Sequence, residues 1–239
     1  MYINGSWASA AANAEFEVLN PATGAVIKSL PDGGGEAARA AIDAAAEAFK
    51  TWKATTPYQR AEFLMRAHAL MMERQEDLAK VMTAEQGKPL RAAMTEVKYA
   101  SDFLQWFAEE GKRVYGEIIP SARADQRFHV LHQPVGVVAA ITPWNYPISM
   151  ITRKLGPALA AGCTVVLKPA EATPLTAIET FKIFEDAGFP PGVVNLVTGM
   201  DPKPIGEEFV SNPKVAKLTF TGSTAVGKML AGQAAGNMK

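Results

Sequence analysis

Apolar residues recur at helical spacing through the first half of the chain and gather into short runs in the second. Ile42, Ala45, Phe49 and Trp52 share one face if Glu36–Trp52 is a helix entered from the glycines at 33–35. Thr56-Pro57-Tyr58-Gln59 suits a helix start, with threonine as cap, proline at the first turn and glutamine closing a capping box. Phe63, Leu64, Ala67, Leu70 and Met71 continue that helix. A shorter helix stops at Gly87 and Pro89, and Leu90–Glu110 reads as a long helix ended by Gly111. Residues 15–30 read as two short strands around the breaker-rich turn Asn20–Gly24.

From Val135 the pattern changes. Strands at Val135–Thr142, Thr164–Leu167, Val193–Val197 and Val215–Phe220 alternate with helices at Pro147–Ala161, Pro174–Ala187 and Pro202–Ser211, and another helix opens at Ser223. Such alternation predicts an α/β fold, a Rossmann-type parallel sheet with helices on both faces and right-handed crossovers. Phe128–Gln133 fits one arm of a hairpin projecting from the body, set off by the polar stretch 120–126.

Composition narrows the function. A 48% apolar, 20% charged chain can build a real core, and 24 basic against 24 acidic residues argue against nucleic acid or an anionic membrane as partner. One cysteine excludes an internal disulfide, and three histidines without ligand spacing leave no metal site. His129 and His132 read as surface residues on opposite faces of a strand. The N-terminus lacks a secretory signal and no alanine-rich run is apolar enough to span a membrane, so a reducing, cytoplasmic compartment is expected.

Candidate chemistry lies at the carboxyl ends of the strands, where open α/β sheets bind ligands. Ile141-Thr142-Pro143-Trp144-Asn145 runs from a strand into a tight turn: the Asn145 amide could hold an oxyanion and Trp144 could wall a nicotinamide. Alternatively, Asn145 caps the following helix and Trp144 is core. Lys168 and Glu171, flanking Pro169 and Ala170, form either a ligand contact or a solvated salt bridge of ~0–1 kcal/mol. Gly222-Ser223-Thr-Ala-Val-Gly227 opens a helix whose N–H groups could receive a phosphate oxygen; an ordinary capped helix reads equally well. Cys163, at the head of an apolar strand, reads as packing rather than as a nucleophile. No tyrosine has a lysine four residues on, which sets aside a short-chain reductase.

Five segments resemble the NAD(P)-dependent aldehyde dehydrogenases in order and spacing: Asn20–Gly24, Glu85-Gln-Gly-Lys-Pro89, Thr142-Pro-Trp-Asn145, Gly162–Glu171 and Phe220-Thr-Gly-Ser-Thr224. Phe107–Gly116 and Met150-Ile-Thr-Arg-Lys154 look most like the succinate-semialdehyde branch. The resemblance implies that residues 1–117 are the helical part of a cofactor domain, 118–134 an oligomerisation hairpin segment, and 135–239 the NAD-binding part. It makes Asn145 the oxyanion donor, in which an aimed amide is worth roughly 2.7–4 kcal/mol. Ile141, Thr142, Pro143, Trp144, Lys168, Pro169, Ala170, Glu171, Gly206, Phe220, Gly222 and Ser223 become cofactor contacts, with Lys168 and Glu171 on the adenosine ribose. Glu171 would repel a 2′-phosphate by ~1–4 kcal/mol at about 4 Å, favouring NAD while Lys168 leaves NADP open.

Arg153, eight residues after Asn145, is expected on the same helix and facing the same cavity, where it would meet the distal carboxylate of an aldehyde acid for ~1.5–3 kcal/mol. A surface arginine paired with an acid is the alternative. The resemblance further implies a homo-oligomer, dimer or tetramer, and a catalytic domain absent from this chain, with nucleophilic cysteine and general-base glutamate lying beyond Lys239. The chain then reads as the truncated, cofactor-binding part of an enzyme oxidising succinate semialdehyde to succinate. A non-catalytic nucleotide-binding or assembly module on the same half fold is the other reading.

Overall fold

The computed structural model describes residues 1–10 and 14–239. At the N-terminus, β1 (Tyr2–Ile3) and β2 (Ser6–Trp7) form a small hairpin, and β3 (Glu15–Leu19) pairs antiparallel with β4 (Val26–Pro31). Four helices follow: α1 (Gly34–Trp52), α2 (Pro57–Glu73), α3 (Gln75–Gln86) and α4 (Leu90–Glu110). The capping box at α2 forms in both directions, between Thr56 and Gln59. Gly87 ends α3 at φ +80°, a left-handed conformation that costs glycine nothing.

Next comes a two-stranded antiparallel ribbon, β5 (Glu117–Pro120) and β6 (Arg127–Val130), with all eight residues exposed and no pairing to the main sheet. β6 ends two residues before His132, so that residue lies outside the strand expected to carry it; its Nδ1 sits 2.6 Å from the Tyr115 carbonyl.

The remainder alternates: β7 (Val137–Ile141), α5 (Pro147–Ala160), β8 (Thr164–Lys168), α6 (Pro174–Asp186), β9 (Val194–Leu196), α7 (Pro202–Ser211), β10 (Val215–Phe220) and α8 (Thr224–Ala235). The sheet order is β10-β7-β8-β9-β1-β2, parallel from β10 to β9 and closed at one edge by the antiparallel β1. That N-terminal hairpin is a finding the sequence did not signal, because two-residue strands carry no readable alternation.

Apolar side chains cover both faces. One cluster joins Leu64, Met71, Leu104, Ile151, Leu155, Phe181 and Phe184 from the helical half and from α5 and α6. The other sets Ile42 and Ala45 of α1 with Phe209 of α7 against Val137, Ala139 and Val166. The helical half thus packs onto the sheet through the first of these clusters. No helix among the described residues is long and apolar enough to cross a membrane.

Candidate active site

Three loops converge at the carboxyl ends of the parallel strands. β7 and β8 are in register so that Ile141 lies beside Lys168, and β10 brings Phe220 beside Ile141 on the other side. The chain moves from β7 outward through β8 and β9, then returns to add β10 on the opposite flank. This reversal makes a crevice between the ends of β7 and β10, where an open sheet binds ligands.

A cleft of about 420 Å³ occupies that crevice, lined by Ile141, Thr142, Pro143, Trp144, Asn145, Lys168, Ala170, Glu171, Phe220, Gly222 and Ser223 among others. A neighbouring cavity of about 560 Å³ shares Ile141, Lys168 and Phe220 and continues between α7 and α8, past Gly206. A Cβ on Gly206 would meet nothing within 4 Å, so its face is open space. Of the expected contacts, only Pro169 lies apart, buried beneath the loop that it shapes. Pro202, Thr221 and Val226 line the cleft without having been singled out in the sequence. Trp144 is 59% exposed, which rules out the core reading for it.

Lys168 is only 4% exposed, and its Nζ donates to Glu171 Oε2 at 2.8 Å. Burial disfavours the charged carboxylate, but the lysine's hydrogen bond, Glu171's own backbone N–H and the lysine charge outweigh it. The Glu171 carboxyl is held below its ordinary range. The pair is therefore not the solvated surface bridge that spacing alone allowed.

Ser223 caps α8 by accepting from the Val226 N–H at 3.4 Å, so the capped-helix reading holds for its side chain. The positive end of that helix still faces the cleft, with Gly222 ahead of it. A Cβ on Gly222 would fall 2.5 Å from the Phe220 ring.

Asn145 does not cap α5. The N-cap is Tyr146, which makes no side-chain cap bond. The first-turn amides of Ile148 and Ser149 instead donate to Glu96 Oε1, each at 3.2 Å. Glu96 reaches them from α4 and ion-pairs with Lys88. The Asn145 carbonyl accepts from Gln86 Nε2 at 2.8 Å and Lys88 Nζ at 2.9 Å, while its side-chain amide bonds to nothing among the described residues. The result is an exposed amide on a fastened main chain. Sequence reasoning gave Gln86, Lys88 and Glu96 no role, although Glu96 was legible as a charge among the buried positions Ala93, Val97 and Ala100 of one helix face.

A second buried carboxylate holds the other loop. Glu85 accepts from the Leu175 and Thr176 amides at 2.7 Å and from the Thr176 hydroxyl, capping α6 just after the Lys168–Glu171 loop. Burial pushes Glu85 up to about 7, against the pull of these bonds.

Arg153 departs from its expected placement. Asn145 precedes α5 instead of lying on it, and Arg153 lines a separate cavity of about 730 Å³ with Met150, Lys154, Cys163, Lys217 and Thr219. The two cavities meet at Thr221. The guanidinium lies 5.9 Å over the Phe103 ring and pairs with no acid among the described residues. Burial, and then the Arg153 charge, push Lys154 down to about 8. Cys163 is buried at the amino end of β8, whereas Asn145 follows the carboxyl end of the adjacent parallel β7. The length of the strands thus lies between them.

A family model described as the aldehyde dehydrogenase family matches residues 7–239. Over 237 residues the chain is 53% identical to the NADP(+) succinate-semialdehyde dehydrogenase of Escherichia coli, covering 99% of this chain and 49% of that protein. It is 52% identical over 238 residues to the 3-sulfolactaldehyde dehydrogenase of Pseudomonas putida, covering 100% and 49%. A crystal structure described as an E. coli NADP dependent enzyme superposes with a TM-score of 0.98 at 52% identity, again covering 100% and 49%. The chain spans about half the length of the curated relatives it matches.

Proposed function

The chain belongs to the aldehyde dehydrogenase family, and from that premise we propose that it supplies the cofactor cleft and the oxyanion donor of an enzyme that oxidises an aldehyde acid with NAD(P). One observation carries the reading: Glu96 satisfies the first amides of α5, and the Asn145 side-chain amide stands exposed and unbonded among the described residues at the mouth of the cleft.

The cleft fits a dinucleotide. It lies at the strand reversal, it continues past an open glycine into a second cavity, and the positive end of α8 faces it. Bound there, the nicotinamide would accept the hydride leaving the aldehyde carbon. Trp144 would wall one side, and Lys168 with Glu171 would meet the ribose hydroxyls. Because Glu171 is already paired with Lys168, its charge opposes a 2′-phosphate less than a free carboxylate would, so the reading takes in NADP beside NAD. Two of the compared proteins carry NADP in their descriptions.

Attack by a nucleophile turns the aldehyde oxygen into an alkoxide, and the Asn145 N–H donates to it as the charge develops. Cys163 is not that nucleophile on this reading, being buried at the far end of the strands. The unpaired Arg153 and its neighbour Lys154 suit a substrate with an anionic group remote from the aldehyde. Succinate semialdehyde and 3-sulfolactaldehyde, named for the two relatives, both have one; succinate semialdehyde is the substrate we propose. Copies associate, on this account, through the exposed ribbon β5–β6.

The test is steady-state oxidation of succinate semialdehyde by the protein at its native length, beside Asn145→Ala. We expect turnover with kcat about 10²–10³ lower in the variant. Cofactor binding without turnover would favour a non-catalytic nucleotide-binding module.

A further inference from the structure

The residues that fasten Asn145 come from the helical half of the chain and not from the sheet that carries it. The carbonyl of Asn145 takes Lys88 Nζ at 2.9 Å, and the same ammonium lies 4.1 Å over the ring of Tyr146, the next residue. Lys88 is ion-paired with Glu96, whose side chain is 2% exposed. The carboxylate's other oxygen holds the Ile148 and Ser149 amides. One charge pair, its carboxylate buried and its lysine half-buried, therefore grips the main chain before and after Pro147. Burying such a pair is unfavourable unless its lone pairs and protons are satisfied, and most of its partners here belong to the turn itself.

The cap of α5 thus comes from another helix, and no side chain of the turn bonds to the helix start. The Asn145 side-chain amide is left exposed and unbonded among the described residues, on a main chain that the lysine holds. Resting on the reading of Asn145 as oxyanion donor, we propose that Lys88 and Glu96 are positioning residues for Asn145, fixing the height and rotation of the turn from which its amide donates.

The test combines kinetics with hydrogen exchange, both on the protein at its native length. Lys88→Met keeps the stem and removes the charge and its donors. It lowers kcat about ten- to a hundredfold, with KM for NADP+ within about twofold, since displacing a catalytic group by an ångström costs on that scale. Lys88→Arg recovers most of the loss. Added to Asn145→Ala, Lys88→Met costs less than about twofold more, because no donor remains to be misplaced. An equal cost in both backgrounds overturns the proposal.

Exchange reads the same device without turnover: the Ile148 and Ser149 amides exchange at least about tenfold faster in Lys88→Met, with Leu175 and Thr176 unchanged. If Lys88→Met does not fold, Glu96→Gln, which keeps an oxygen for the two amides but loses the charge, is expected to give the same pattern. Absence of turnover in the unmodified protein would sink the functional reading. The exchange data would then decide the clamp alone, and unchanged protection at Ile148 and Ser149 would overturn it.

Discussion

Lys168 Nζ donates to Glu171 Oε2 across 2.8 Å on the wall of the cleft, so the carboxylate that the proposal sets against a ribose is already paired with a cation. Glu171→Ser removes the carboxylate and leaves the ammonium. Preference for NADP+ over NAD+ should then rise about tenfold, near the lower end of the repulsion a free carboxylate would exert because Lys168 offsets part of it. Paired titrations with the two nucleotides measure it; an unchanged ratio would mean that Glu171 does not face the 2′ position.

Gly222 has no room for a methyl group, since a Cβ would fall 2.5 Å from the Phe220 ring. Phe220 lines both the cleft and the cavity beside it. Gly222→Ala is expected to push that ring into the cleft and weaken nucleotide binding about tenfold, or about 1.4 kcal/mol. Binding at full strength would show that the ring moves elsewhere and that the helix entrance is not part of the site.

Cys163 is buried and lies across the length of the strands from Asn145. Cys163→Ala should cost about 1 kcal/mol of stability from lost packing, with nucleotide affinity and turnover within about twofold. A loss of turnover with binding intact would make Cys163 chemically active and contradict its placement.

Glu85 gives the fold a pH dependence. Its carboxyl titrates near 4.5 in the unfolded chain and is pushed to about 7 by burial in the folded one. The folded state then holds the proton more tightly, so the stability this contributes is whole below about 4.5 and is lost as pH rises through about 7. The loss is on the order of 3 kcal/mol. Unfolding free energies from pH 4.5 to 8 should fall for the unmodified chain relative to Glu85→Gln and level off above about 7.5. A constant difference between the two would mean that the three donors keep Glu85 ionised throughout.

The strands and helices from Val135 onward were legible because short apolar runs between breakers have few alternatives: Pro202–Ser211 and Val215–Phe220 appear with their expected bounds. The long helix Leu90–Glu110 was equally plain from its period and its terminal glycine. What escaped were relations across the chain. That Glu96 of α4 caps α5, and that Lys88 holds the Asn145 carbonyl, no local pattern states. Arg153 was placed by helical arithmetic that assumed Asn145 lay on α5; the turn through Tyr146 breaks that phase and sends Arg153 to the adjoining cavity. The loops that line the cleft are local in sequence, whereas the contacts that hold them join residues far apart in the chain.

The most direct measurement is an equilibrium titration of the 239-residue chain with NADP+ and NAD+, following tryptophan emission, since Trp144 lies exposed on the cleft wall. The account predicts saturable binding with a change in emission that disappears in Trp144→Phe while the affinity survives. A folded chain, shown by cooperative melting, that binds neither nucleotide at millimolar concentration would contradict it.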